Sequence, residues 1–283
     1  MPDVLNIQDH SRDAAGLVYV YPVVSRRAGG VSIGINLNTN NACNWRCVYC
    51  QVPGLKRGSA PPVDFQRLEK ELRGFLQDVL HGTFMEEHVP PEARRLNDIA
   101  LSGNGEPTSA KEFEQVIELV VRVRDEMGVP PSVKMVLITN GSLIHRAGVQ
   151  RGLAMMAKHN GEVWFKLDSA TPEGIARING SQEPLSRVAE NLRIATELCP
   201  TWIQTCMFQM DGQEPSEHEC SSYLSFIENQ LKQGVAIKGV LLYGLARPSM
   251  QPGSERLAPL PLLWMEHFTK RIEALGLTVK LTL

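Results

Sequence analysis

The sequence predicts an α/β protein built on a parallel sheet within a single domain. Three observations carry this. Six short runs rich in Val, Ile, Leu or aromatics recur along the chain, most of them followed by turn residues. Between them lie longer runs whose apolar residues follow helical spacing, and such alternation means parallel strands joined by helical crossovers. No low-complexity tract or long linker divides the 283 residues, and 43% of them are hydrophobic, enough for a full-sized core.

The elements follow in order. Leu17–Val23 is expected to pair as a hairpin with the first strand, Val31–Asn38. After Pro61-Pro62, Asp64 caps a helix whose Phe65, Leu68, Leu72, Phe75, Leu76 and Val79 recur at i, i+3, i+4, and Pro90-Pro91 closes that segment. Asp98–Gly103 is the second strand. Ser109-Ala110-Lys111-Glu112 has the pattern of a capping box for a helix that ends at Gly128, ahead of Pro130-Pro131. Strands are then expected at Val133–Asn140, Glu162–Asp168, Trp202–Met210 and Ile237–Ala246. Helices are expected at Ser142–Lys158, Pro184–Leu198, Ser216–Gln233 and Pro261–Leu275, and Leu277–Leu283 is a seventh strand. This pattern alone fits two closures, a barrel or partial barrel and a doubly wound open sheet.

Charge narrows the function. Lys plus Arg is 29 and Asp plus Glu is 31, so the net charge of -2 excludes a strong general attraction to nucleic acid, leaving only a local patch. Met1 to Gly16 lacks the basic and apolar regions of a signal peptide, and no apolar run approaches ~18 residues. Three of the six cysteines lie between positions 43 and 50, a clustering that points to metal binding or catalysis rather than disulfides. A soluble cytoplasmic enzyme is expected.

That cluster, Cys43, Cys47 and Cys50, has the spacing C-x3-C-x2-C directly after the first strand. Three thiolates on one loop suit three irons of a [4Fe–4S] cluster and leave the fourth iron open, the mark of a catalytic metal. A structural zinc site needs a fourth ligand, and the next His and Cys are His81 and Cys199. Other candidates sit at strand ends. Gly103 and Gly105 let the backbone approach a ligand closely, and Glu106 suits an ammonium. Asn140 ends the third strand, as a turn residue or a ligand contact. In the fourth strand, period two puts Val163, Phe165 and Leu167 toward the helices and Lys166 and Asp168 inward, as an ion pair or as ligand contacts. Ser169 follows at the rim. Gln204 or Gln209 of the fifth strand can read a substrate, and Arg247 ends the sixth at the rim. Cys199, Cys206 and Cys220 are buried thiols or a second cluster.

Asn41 to Cys50 resembles the cluster loop of the radical S-adenosylmethionine (radical SAM) superfamily, C-x3-C-x-aromatic-C, which Cys43, Cys47, Tyr49 and Cys50 match in full. The resemblance spans about residues 30–247. It implies a partial (β/α)6 TIM-like barrel as the core of one domain over 1–283, with an N-terminal extension, 1–29, and a C-terminal extension, 248–283. It implies a [4Fe–4S] cluster on the three cysteines and SAM on its open iron. Gly103, Asn104, Gly105 and Glu106 stand where the superfamily binds the SAM amino group, with Asn104 departing from paired glycines. Asn140 stands at a SAM-contacting position. Asp168 is expected on the ribose, Lys166 on a carboxylate, and Tyr49 and Ser169 beside the cofactor. Ser102 to Thr108, Lys166-Leu167-Asp168, Arg177-Ile178-Asn179 and Ala246-Arg247-Pro248 are similar to the wyosine-synthase-like iron–sulfur oxidoreductases. That likeness implies a nucleobase-like or small polar substrate, with tRNA among its carriers, entering past Lys166, Gln204 and Arg247. It also implies a low-potential electron donor such as flavodoxin or ferredoxin. The alternatives are radical modification of a peptide or protein, and a non-catalytic iron- or zinc-binding module.

Overall fold

The alternation of short β-rich runs with amphipathic runs resolves into one sheet backed by helices. The computed structural model describes residues 16–25 and 29–283; positions 1–15 and 26–28 of the expected N-terminal extension lie outside the described residues. The strands are β1 (Val20–Ser25), β2 (Gly30–Ile35), β3 (Leu96–Leu101), β4 (Lys134–Thr139), β5 (Gly161–Lys166), β6 (Thr201–Cys206), β7 (Ile237–Tyr243) and β8 (Thr278–Thr282). The main helices are α1 (Phe65–His81), α2 (Phe113–Glu126), α3 (Ala147–Lys158), α4 (Leu185–Leu198), α5 (Glu217–Lys232) and α6 (Leu262–Glu273).

Strand order settles the closure. Among the described residues the strands lie side by side in chain order from β1 to β8, parallel except for the antiparallel hairpin of β1 and β2. A doubly wound sheet reverses its order at a switch point. Here every strand adds on the same side, so right-handed crossovers place the helices on one face. The result is a partial, TIM-like barrel, and the expected hairpin and seventh strand are both present.

The two faces differ as period two requires. Ile33, Ile99, Leu137, Val163, Phe165 and Leu242 are buried in the core shared with the helices. The alternate residues face the concave side. There Trp164 and Trp202 are register partners, and with Lys134, Glu162 and Lys280 they line a chamber of about 260 Å³ at the strands' N-terminal ends.

The hydrophobic pattern located the elements, but four boundaries are corrected. Ser109 caps nothing: its Oγ accepts from Ala60 N at 2.9 Å and from Asn38 Nδ2 at 3.2 Å, and α2 begins after Glu112 without a side-chain cap. Ser142 does not open a helix. Gly141 has φ +76° and Ser142 turns back onto Asn140, so α3 begins only at Ala147. The fifth expected strand stops at Cys206, and Gln209–Met210 pairs instead with Leu257–Ala258 of the C-terminal extension. The sixth stops at Tyr243 rather than Ala246. The expected cap at Asp64 forms, and at the start of α5 Ser216 and Glu219 make a full capping box.

Candidate active site

The cysteine loop leaves β2 through an asparagine-rich stretch. Asn36, Asn38, Asn40, Asn41 and Asn44 fall within nine residues. Each shapes the loop: Asn38 Nδ2 donates to Ala42 O at 2.8 Å, Asn40 Nδ2 to Ser59 O at 3.1 Å and Asn41 Nδ2 to Pro53 O at 3.0 Å. Asn36 Oδ1 accepts from Asn38 N and Asn104 N. Asn44 joins a neighbouring turn described below. These residues were not singled out from the sequence, though the run of amides beside the cysteines was the signal.

Ala42–Cys43 then pairs with Lys56–Arg57 and closes the loop at its base. The three thiols are all half-buried. Trp45 N–H points at Cys43 Sγ at 3.4 Å, Asn179 Nδ2 donates to Cys47 Sγ at 3.4 Å, and Cys50 N donates to Cys47 O at 3.0 Å. Burial pushes the Cys43 and Cys47 thiols up to about 12, so a metal must displace their protons. Three free thiols on one loop suit the cysteine ligation of a cubane cluster.

The loop is braced from the segment after β5. Arg46 N donates to Asn179 O and Val48 N to Ile178 O, both at 2.8 Å, and Arg57 reaches Asn44 O and Gly180 O. Gly180 has φ +58°, and a Cβ there would lie 2.9 Å from Arg46 O.

Beside the loop, the end of β3 carries Gly103 to Glu106. Its glycines do allow close approach, but to the protein's own chain. A Cβ on Gly103 would run into Asn36, and one on Gly105 into the Ala42 carbonyl. Asn104 donates to Asn41 Oδ1 at 2.7 Å. Glu106, only 2% exposed, clamps strand ends together. Its Oε1 accepts from Thr108 N, Thr108 Oγ1 and Thr139 Oγ1, and its Oε2 from Asn140 N at 2.6 Å. Burial nevertheless holds this carboxyl above its usual range. Asn140 also reaches the loop, donating to Asn44 Oδ1 at 2.8 Å while its own Oδ1 accepts from Ser142.

At the end of β5, Asp168 is 3% exposed. It accepts from Cys206 N at 2.9 Å, from Asn179 Nδ2 at 2.7 Å and from the Tyr49 hydroxyl. A carboxylate has about four acceptor positions, so capacity remains. The expected Lys166–Asp168 neighbours therefore meet through Tyr49. Lys166 Nζ donates to Tyr49 Oη at 3.1 Å and to Tyr243 Oη at 3.0 Å. Burial alone would lower the Lys166 ammonium, but the oxygens of Tyr243 and Asp168 and the Cys47 sulfur outweigh it and raise the pKa. Burial and Asp168 push the Tyr49 phenol up. Its ring packs on Phe208 at 5.6 Å. Ser169 turns away to accept from Thr171 N at 3.2 Å.

Gln204 is the register partner of Lys166, one layer inside the rim. It is 1% exposed and its Oε1 has no partner among the described residues. Gln209 instead lies in the small sheet. Arg247 lies beyond the end of β7 near the loop, where its carbonyl accepts from Gln51 Nε2 at 3.4 Å. A cavity of about 520 Å³ opens beside Asp168 and Ser169, walled by Cys206, Met207, Phe208 and Met210. Cys199 and Cys220 are buried free thiols like Cys206. No described helix is long and apolar enough to cross a membrane.

Comparison with known proteins bears on this geometry. The model of the Radical SAM superfamily matches residues 37–219. A curated protein of Synechocystis sp., UPF0026 protein slr1464, is 28% identical over 161 residues, 56% of this chain and 52% of that protein. GTPase Obg of Brachyspira hyodysenteriae is 24% identical over 132 residues, 47% of this chain. The chain thus spans about half the length of the first relative and 17% of the second. Among solved structures, TYW1 with a lysine–pyruvate adduct bound superposes with a TM-score of 0.55 over 87% of this chain and 74% of that one, at 14% identity, which is a likeness of fold.

Proposed function

The chain belongs to the radical SAM superfamily, and from that premise we propose that Cys43, Cys47 and Cys50 hold one [4Fe–4S] cluster beside a SAM site formed by Glu106, Asn140 and Asp168. When bound, a reduced cluster held by Cys43, Cys47 and Cys50 would supply the electron for reductive cleavage of SAM, which Glu106, Asn140 and Asp168 would hold and orient.

One observation carries the reading. The single amide of Asn179 reaches both Cys47 Sγ and Asp168 Oδ2, so the cysteine loop and the carboxylate lie within one side chain of each other. The cavity of about 520 Å³ beside Asp168 is of a size for a nucleoside-like ligand. Glu106 Oε2 accepts one bond where Oε1 accepts three, so it keeps room for an ammonium, and a cation there would relieve its burial. Lys166 Nζ, which donates to Tyr49 and Tyr243, is a cation for a carboxylate.

The substrate reading is a nucleobase-like or small polar ring on the concave side, with tRNA as its carrier in one case. The unpartnered Oε1 of Gln204 supports it, because a buried acceptor gains when a ligand N–H arrives. Arg247 stands farther out, toward the loop. Electrons come from a flavodoxin- or ferredoxin-like donor.

The test is SAM binding to anaerobically reconstituted Glu106→Gln and Asp168→Asn. Each loses a charge-assisted bond of about 1.5–3 kcal/mol, so affinity falls roughly ten- to hundredfold, while iron content stays at the wild-type value. Wild-type affinity in both variants would end the assignment. Hydrogen transfer into 5′-deoxyadenosine from labelled nucleosides, total tRNA and peptides identifies the substrate, and transfer from peptides alone would overturn the nucleobase reading.

A further inference from the structure

The connection after β7 doubles back over the second half of the cysteine loop. Ser249 Oγ lies 2.6 Å from the Val48 carbonyl oxygen and 3.2 Å from that of Cys50, its proton directed at these acceptors, and accepts from Gln251 N at 3.0 Å. Met250 N donates to Cys50 O at 2.9 Å. Gln251 Nε2 donates to Val52 O at 2.8 Å and lies 3.3 Å from Cys50 O. Ser249 and Gln251 are buried, 8% and 7% exposed, while Met250 between them turns outward.

Residues 48–52 form neither helix nor strand, so their carbonyls have no regular partners. Buried carbonyls without donors are costly. These three, at alternate positions around Cys50, receive donors from one short segment about 200 residues away. The backbone bonds from the segment after β5 go only to Arg46 N and Val48 N, and beyond them that segment holds Tyr49 by its side-chain hydroxyl, through Asp168. The third cysteine is therefore held from the C-terminal extension.

We propose that Ser249 and Gln251 are positioning residues for Cys50, fixing the backbone on both sides of the third cluster ligand. This rests on the cluster reading above. A thiolate on an untethered loop must be ordered each time it binds iron, and ordering a residue's backbone carries an entropic penalty. Groups that orient a ligand without touching the metal commonly change metal affinity about ten- to hundredfold when removed.

The experiment uses the full chain, anaerobically reconstituted, with Ser249→Ala, Ser249→Thr, Gln251→Met and Cys50→Ala beside wild type. Three quantities are read: iron and sulfide per chain, the rate at which a chelator strips iron, and the electron paramagnetic resonance spectrum of the reduced cluster. The melting temperature of the metal-free protein is the control for folding. Ser249→Ala and Gln251→Met are expected to lose iron about ten- to hundredfold faster than wild type, with an altered spectrum and intact folding. Ser249→Thr, which keeps the hydroxyl, returns toward wild type. If Gln251→Met does not fold, the comparison of Ser249→Ala with Ser249→Thr decides alone. Wild-type loss rates and spectra in the variants, with Cys50→Ala defective, would overturn this proposal and leave the cluster reading standing. The proposal also falls if loss rates merely follow the metal-free melting temperature and threonine does no better than alanine. Full cluster content in Cys50→Ala would overturn the cluster reading and this inference with it.

Discussion

The amide of Asn179 donates to a sulfur and a carboxylate at once. Hydrogen bonds to cluster sulfurs favour the reduced, more negative state and raise the potential. Asn179→Ala is therefore expected to move the midpoint of the reconstituted cluster to more negative values and to weaken SAM binding through Asp168. Potentiometry followed by electron paramagnetic resonance checks the first effect, and an unchanged midpoint would show that the Cys47 contact has no role in the loaded protein. The Arg46–Asn179 backbone bond survives the substitution, so the loop keeps its brace. At this scale the sequence was informative wherever spacing alone specified chemistry. C-x3-C-x2-C singled out the thiols and strand-end positions singled out Glu106 and Asp168, and the fold brings Asp168 within one side chain of Cys47. What it did not reveal is that these carboxylates serve the fold. Glu106 takes Thr139 and Asn140 from 33 and 34 residues away, and Asp168 takes Tyr49 from 119 away. Such partners are set by how strands align, which no local pattern records.

Among the elements, α1 anchors the antiparallel edge of the sheet through one carboxylate. Glu71 accepts from the amides of Val18, Tyr19 and Val20, at 2.8 Å for Tyr19, and from Arg67 Nε at 2.8 Å. Burial alone would raise its pKa, but Arg67 and the three N–H groups outweigh it and hold it below the ordinary 4.5. A carboxylate with a depressed folded pKa adds stability above its unfolded value, and that stability is lost as pH falls through the folded one. Thermal stability is thus expected to show no Glu71-dependent change near neutrality and to decline below about pH 4.5. Glu71→Gln should lose about 1.5–3 kcal/mol at pH 7, as charged hydrogen bonds do, with a shallower acid decline; melting curves from pH 3 to 8 check both. An equally steep decline in Glu71→Gln would assign the acid sensitivity elsewhere. The order of strands and helices was legible because their periods differ, two against 3.6. Helix starts at Ser109 and Ser142 misled because a hydroxyl ahead of an apolar run has the same appearance whether it caps that run or bonds elsewhere.

For the molecule as a whole, consecutive strand order gathers the ends of β3, β4 and β5 on one rim beside the cysteine loop. A ligand touching Glu106, Asn140 and Asp168 would tie those ends together, so SAM binding should act on global stability. At a hundredfold excess over Kd it should stabilise the protein by about 2.7 kcal/mol, a rise of several degrees in Tm. Asp168→Asn should show about half of that rise or less at the same concentration; an equal rise would place the ligand elsewhere. The clasp of Ser249 and Gln251 has a consequence in time. Chains are made from the N-terminus at about 5–20 residues per second, and Ser249 follows Val48 by 201 positions, so roughly 10–40 s separate the thiols from their last fastening. A ribosome-bound chain therefore displays three cysteines on a half-secured loop, open to oxygen and stray metals. Iron delivered before release meets an unfinished pocket, whereas delivery to the released chain meets one already clasped, which makes completed protein the natural client of any cluster-loading machinery.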